Sequence, residues 1–268
     1  MAGNPLELAS LGATAAPLTF EQPLTERMRT FLRLDFLYGQ AVYHNEMATQ
    51  WGSRAAVASL LDILSISTRG DMRPEVLKEL ERHITALGDY HARPGVDDAR
   101  LRAVVANLVR LRGELAATGT GYLQSLKESE FLSAIKHRSA IPGGTCEFDL
   151  PDYYFWLNRP TELRAQAFGA WLALLRPLCD AIAELLWLTR QNGRSREELA
   201  RGGTFNITFD RDAPIQLLRI ALPAGSNLYP EISGSHYRCS VRFLSWNGLD
   251  GRSTQAEGDV PFTLTCCS

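Results

Sequence analysis

GGTFNITF, from Gly202 to Phe209, is where the chain changes its period. Before it, apolar residues recur every three or four positions. From it onward they alternate, with Phe205, Ile207 and Phe209 set against Asn206 and Thr208. A period near 3.6 makes a helical stripe, whereas a period of 2 sends successive side chains to opposite faces of a strand. The runs IQLLRIAL (215–222), NLYPEIS (227–233), HYRCSVRFL (236–244) and VPFTLT (260–265) continue the second pattern. They are rich in β-branched and aromatic residues and bounded by Asp-Arg-Asp, Pro-Ala-Gly, Ser-Gly and Asn-Gly-Leu-Asp-Gly clusters. Strands gathered after helices predict an α+β fold, a helical N-terminal domain with a C-terminal antiparallel β domain. The expected layout is a flexible leader over 1–19 and a helical domain over 20–140 with helices in 161–191 packed on it. The β domain comprises 201–268 together with 141–160.

Working back from that point, PLTERMRTFLRLDFLYGQAVYH (23–44) reads as a helix. Met28, Phe31, Leu32 and Phe36 fall on one broad face and Leu34 and Leu37 on another, leaving Arg29 and Arg33 in a narrow polar stripe. A second helix is expected from a Ser53 cap to a stop at Arg69-Gly70, and a third, with Pro74 in its first turn, burying Val76, Leu77, Leu80, Ile84 and Leu87. The turn RPGVD (93–97) offers Asp97 as N-cap of a fourth helix that ends at TGTG. YLQSLKESEFLSAIKHR (122–138) reads as a fifth. After it come the aromatic segment DYYFWLN and two helices, capped at Thr161 and split at Pro177.

With 268 residues, 45% hydrophobic and 22% charged, the chain has the composition of an ordinary globular protein. A formal net charge of −2 excludes a surface that is basic throughout, so any anion site must be local. The five cysteines, Cys146, Cys179, Cys239, Cys266 and Cys267, are odd in number and lack metal-ligand spacing, which points to a reducing cytosol rather than a disulfide framework or zinc site. The richest apolar window, AWLALLRPLCDAIAELLWL, is broken by Arg176, Pro177, Asp180 and Glu184 and reads as a buried helical hairpin, not a membrane span.

IPGGTCEFDLP (141–151) has the look of a reaction site, with two glycines, a cysteine and two carboxylates. Glu147 and Asp149, however, repel the thiolate that nucleophilic chemistry at Cys146 needs, and Gly143-Gly144 lacks a phosphate-loop framework. The stretch is better read as a glycine turn, a short C-E-F-D strand and a proline-started helix. His137 can be paired with Cys146 on paper. The other histidines, His44, His83, His91 and His236, show no HxxxH or HExxH spacing, so no metal or other cofactor is expected. Arg69-Gly70-Asp71 is explained as a helix stop, and Cys266-Cys267 as two reduced thiols.

The arginines carry more. On HYRCSVRFL, alternation places Tyr237, Cys239, Val241 and Phe243 on one face and Arg238, Ser240 and Arg242 on the other, the arginines about 13 Å apart. Arg29 with Arg33, Arg69 with Arg73, and Arg238 with Arg242 are three local places for an acidic partner, arginine being the favoured cation at interfaces.

These residues lie in segments that resemble the ZapD family of bacterial cell-division proteins. The segments are FEQPLTERMRTFLRLDFL, RGDMRPEVLKELER, PGVD, IPGGTCEFDLPDYYFWL and LYPEISGSHYRCSVRF, spread from Phe20 to Cys267. The resemblance implies a cytoplasmic, non-enzymatic homodimer that binds the C-terminal tail of FtsZ through a basic surface and bundles FtsZ filaments at the midcell division ring. It carries tail binding onto Arg29, Arg33, Arg69, Arg238 and Arg242. Arg73 adjoins the matching RG turn, and Lys136 and Arg138 match basic family positions. Tyr154 and Glu130 stand where some members carry histidine and arginine. Two other classes compete: an enzyme using Cys146 with Glu147 or His137, and a nucleic-acid module using the arginine sheet face with Tyr237 and Tyr229. The second is disfavoured because Tyr237 alternates away from Arg238. Neither nucleic acid nor membrane insertion is expected.

Overall fold

In the computed structural model the structure describes residues 16–90, 95, 97–210, 215–235 and 237–268, the side chain of Arg69 excepted. Most of the expected leader and parts of the RPGVD turn therefore lie outside the described residues. The chain divides into a helical unit, Arg29–Leu188, and a strand unit formed from Met1–Met28 and Thr189–Ser268.

Helix α1 (Glu26–Glu46) buries Met28, Phe31, Leu34 and Ala41, and α2 (Gln50–Arg69) buries Val57, Leu60, Leu61, Ile63 and Leu64. α2 starts earlier than its sequence suggests. Thr49, not Ser53, is the cap, accepting the Gly52 N–H at 2.9 Å. α3 (Arg73–Gly88) buries Val76 and Leu80 but leaves Leu77, Ile84 and Leu87 half-covered. Asp97 caps α4 (Asp98–Ala117) as expected, accepting from the N–H groups of Ala99 and Arg100.

The single expected fifth helix is two, α5 (Gln124–Lys127) and α6 (Glu130–Ser139). Ser129 breaks the run by accepting the Leu132 N–H, a local bond that competes with helix continuation. After α7 (Pro151–Leu157), α8 runs unbroken from Thr161 to Gln191 with Pro177 inside it, correcting both the split and the hairpin. Proline removes one N–H from the ladder, but Ala173, whose carbonyl loses that donor, is exposed. The buried stripe Phe168, Leu172, Leu175, Leu178, Ile182 and Leu185 keeps its phase across the proline. No helix among the described residues is long and apolar enough to cross a membrane.

The strand unit contains two antiparallel sheets. The first comprises β1 (Leu18–Pro23), β2 (Arg194–Ala200), β4 (Leu217–Leu222) and β8 (Val260–Cys267), in the order β1-β4-β8-β2. The second comprises β3 (Thr204–Thr208), β5 (Leu228–Ser235) and β6 (Arg238–Ser245), ordered β3-β6-β5, with the short β7 (Thr254–Gln255) also paired to β6. One apolar cluster joins the sheets. Phe262 of β8 meets Phe205 of β3 and Phe243 of β6 with ring centroids 5.2 and 5.0 Å apart, among Leu218, Ile220, Val241 and Leu264. β1 takes in Leu18 and Thr19, so the expected leader overlaps a strand. β1 and β2 were not expected at all.

The C-E-F-D strand does not exist. Residues 141–149 form successive turns, and 141–160 falls within the helical unit. Gly143 sits at φ +73°, where only glycine is unstrained, and a Cβ on buried Gly144 would lie 2.4 Å from the Arg138 carbonyl oxygen. A chain folded this tightly on itself has no free edge to offer a sheet.

Candidate functional site

The strand unit presents Arg238 and Arg242 on a polar sheet face. Pairing of β6 with β3 and β5 aligns three rows on the outward face: Thr208, Arg238 and Ser235; Asn206, Ser240 and Ser233; Thr204, Arg242 and Glu231. The alternation read from sequence holds here, since Cys239, Val241 and Phe243 are buried and Arg238 and Arg242 exposed. Tyr237 departs from it. It precedes β6 in a turn and is 49% exposed, because the strand begins only at Arg238.

A groove of about 570 Å³ lies along the first two rows and the intervening Ile207, Cys239 and Gly234. Its polar side chains are hydroxyls, the Asn206 amide and Arg238. No hydrogen bond or ion pair engages the Arg238 guanidinium among the described residues. Arg242 differs: its Nη2 donates to Glu231 Oε2 at 2.5 Å, directly across the ladder.

In the helical unit, Arg29 and Arg33 lie one turn apart on α1, half-buried and exposed respectively. Phe36, expected among the covered residues, is 67% exposed, and Tyr43, two turns further along the helix, is 60% exposed. The open face of α1 is therefore broader and more apolar than an arginine stripe.

Arg69 closes α2 as expected, but its side chain lies outside the described residues. Arg73 is engaged in the fold, donating from Nε to the Leu115 carbonyl at 3.0 Å and from Nη2 to the Ala116 carbonyl at 2.7 Å. These carbonyls end α4, where a cation complements both the unsatisfied acceptors and the helix dipole. Lys136 is exposed, whereas Arg138 reaches Asp149 at 3.3 Å.

The turn at 141–149 is held from both sides. Besides Arg138, Arg54 donates to the Thr145 carbonyl at 3.0 Å and lies over the Tyr153 ring at 5.0 Å and the Trp51 ring at 5.6 Å. Arg54 is a cation that the sequence reading missed, and its position one turn into α2 gave no signal of a partner 91 residues away. Glu231 was missed for the same reason, since only the β5–β6 register brings it to Arg242.

The Cys146 thiol donates to Asp149 Oδ2 at 3.6 Å. Glu147 and His137 are exposed, and neither forms a hydrogen bond with Cys146 among the described residues. Among those residues no group of three or more His, Cys, Asp or Glu is disposed to hold a metal ion.

Comparison with known proteins gives this geometry its context. The ZapD family model, described as a cell division protein, matches residues 32–242. The chain belongs to the ZapD family. It is 40% identical to the cell division protein ZapD of Methylococcus capsulatus, over 93% of this chain and 98% of the relative. The ZapD proteins of Chromobacterium violaceum and Escherichia coli are 37% and 34% identical, over 93% and 92% of this chain and 99% and 98% of theirs. Membership gives the chain a role in cell division. The ZapD match runs from Leu32 to Arg242, so it takes in Arg33, Arg69, Arg73, Arg238 and the Glu231–Arg242 pair, with Arg29 three residues before it.

Proposed function

We propose that this ZapD-family chain is a non-enzymatic division factor that binds the C-terminal tail of FtsZ and, as a homodimer, cross-links FtsZ filaments into bundles at the midcell ring in the cytoplasm. The tail contacts are assigned to Arg29, Arg33, Arg69, Arg73, Arg238 and Arg242, with Lys136 and Arg138 in support. The observation that carries the reading is Arg238. It is an exposed guanidinium without a counter-ion among the described residues, over a groove whose other polar groups are uncharged. Such a site favours a carboxylate, which it can receive without displacing an internal acid. Arg73 contributes less directly, because its donors already close α4.

Bundling follows from valency. A two-fold dimer offers two equivalent sites, so each dimer ties two filaments, and weak individual sites gain avidity along a polymer. Contacts between exposed arginines and acids weaken as salt screens them. The test is co-sedimentation with FtsZ and with FtsZ lacking its C-terminal tail. The chain should pellet with the first and stay in the supernatant with the second; equal pelleting overturns tail binding. Light scattering should also fall with Arg238→Glu and with raised salt.

A further inference from the structure

Arg238 and Arg242 look equivalent in sequence, yet the ladder gives them different neighbours. Arg238 shares its row with Thr208 and Ser235, both uncharged, whereas Arg242 shares its row with Thr204 and Glu231. Cross-strand partners are the closest side-chain neighbours in a sheet, and here the opposite charges meet at 2.5 Å. Both members of that pair are about half exposed, so water and salt loosen it easily.

We infer that Glu231 is a built-in competitor for the acidic partner, holding Arg242 until an incoming carboxylate displaces it. This rests on the reading of the strand face as a receptor for an acidic tail. The occupant is an extended acidic peptide lying along β6. Its first carboxylate docks at Arg238, which has no acidic partner among the described residues. A second, spaced to match the two arginines, reaches Arg242 only by replacing Glu231. Between them, Ser240, Ser233 and Asn206 offer hydroxyl and amide groups to the peptide backbone. The charge complementarity is therefore graded: Arg238 supplies initial capture, and Glu231 sets how much a second acid adds. A peptide with one acid should engage Arg238 alone, so Glu231 lowers only the gain that a second, suitably spaced acid brings.

The competition is measured with the full chain by titrating a fluorescent FtsZ tail peptide and, separately, an octapeptide of glutamate. Glu231→Gln should tighten binding about two- to fivefold, the worth of an exposed ion pair. The same substitution in an Arg242→Gln background should change nothing, whereas Arg238→Ala should weaken binding in every background. If only the glutamate octapeptide binds, with this same dependence on Glu231 and Arg242, the competitor stands and the FtsZ-tail reading falls. If Glu231→Gln leaves affinity unchanged, or tightens it equally without Arg242, the competitor is overturned whichever peptide binds. Binding of neither peptide overturns it as well.

Discussion

Arg73 Nη2 lies 2.7 Å from the carbonyl oxygen of Ala116, so a residue at the start of α3 closes the last turn of α4. Its Nε bonds the Leu115 carbonyl in parallel. Two charge-assisted bonds, one partly buried and one exposed, contribute about 1–3 kcal/mol together. Arg73→Ala should therefore lower the urea midpoint without changing the slope, and Arg73→Lys should fall between. An unchanged midpoint for Arg73→Ala would mean that the guanidinium is available to a partner at no cost to the fold.

The two glycines of the 141–151 stretch should respond differently to alanine. At Gly143 the added Cβ meets nothing within 4 Å, and only the left-handed backbone is strained, at about 1–2 kcal/mol. At Gly144 the Cβ would sit 2.4 Å from the Arg138 carbonyl oxygen and 2.8 Å from Ile141 Cβ, so the turn itself must move. Thermal melts should show Gly144→Ala as the more damaging, with loss of the Arg138–Asp149 pair. Equal losses would place the constraint in backbone conformation alone.

Burial pushes the Tyr153 hydroxyl up to about 12, opposed by the charge of Arg54. In the unfolded chain tyrosine ionises near 10. A folded value raised above the unfolded one gives stability that is complete below about pH 10 and declines as pH rises toward 12, since only the unfolded state then releases the proton. Tyr153→Phe should flatten that decline by roughly 2–3 kcal/mol in total. Chemical denaturation at pH 9, 10.5 and 11.5 checks it. A parallel decline in the variant would assign the alkaline loss to other groups.

The thiols should react in an order set by exposure. Cys179, Cys239 and Cys267 are buried, and burial raises the last two to about 11. Cys146 and Cys266 are half-exposed. Brief alkylation of the native protein at pH 8, read by peptide mass mapping, should label Cys146 and Cys266 well before the other three. Cys146→Ser should leave FtsZ bundling intact, whereas a cysteine enzyme would lose its activity.

What could be read in advance follows the strength of local signals. β4 and β8 lie centrally in their sheet, and β6 lies centrally in the other. Each carries the β-branched and apolar alternation that interior strands need. β1 and β2 form the two edges of the first sheet. RSREELA has four charges in seven residues and exposes nearly all of them, so it has no period to detect. Its strand exists because β8 lies beside it, pairing Arg194 with Cys266 and Ala200 with Val260. Pro177 misled for the opposite reason: a strong local breaker was outweighed by a buried stripe that the sequence already displayed in phase.

The sequence by itself determined the α+β class, the inward and outward faces of β6, the Asp97 cap and the family. All of these depend on residues close together in the chain or on motifs spelled within it. Only the tertiary structure decided which arginines are open. Arg73 is drawn to carbonyls 42 and 43 residues away and Arg242 to Glu231 across a hairpin, while Arg238 is left without a counter-ion among the described residues. A charge is legible in sequence, but its availability depends on what the fold brings within a few ångströms, because pairing acts through space and not along the chain.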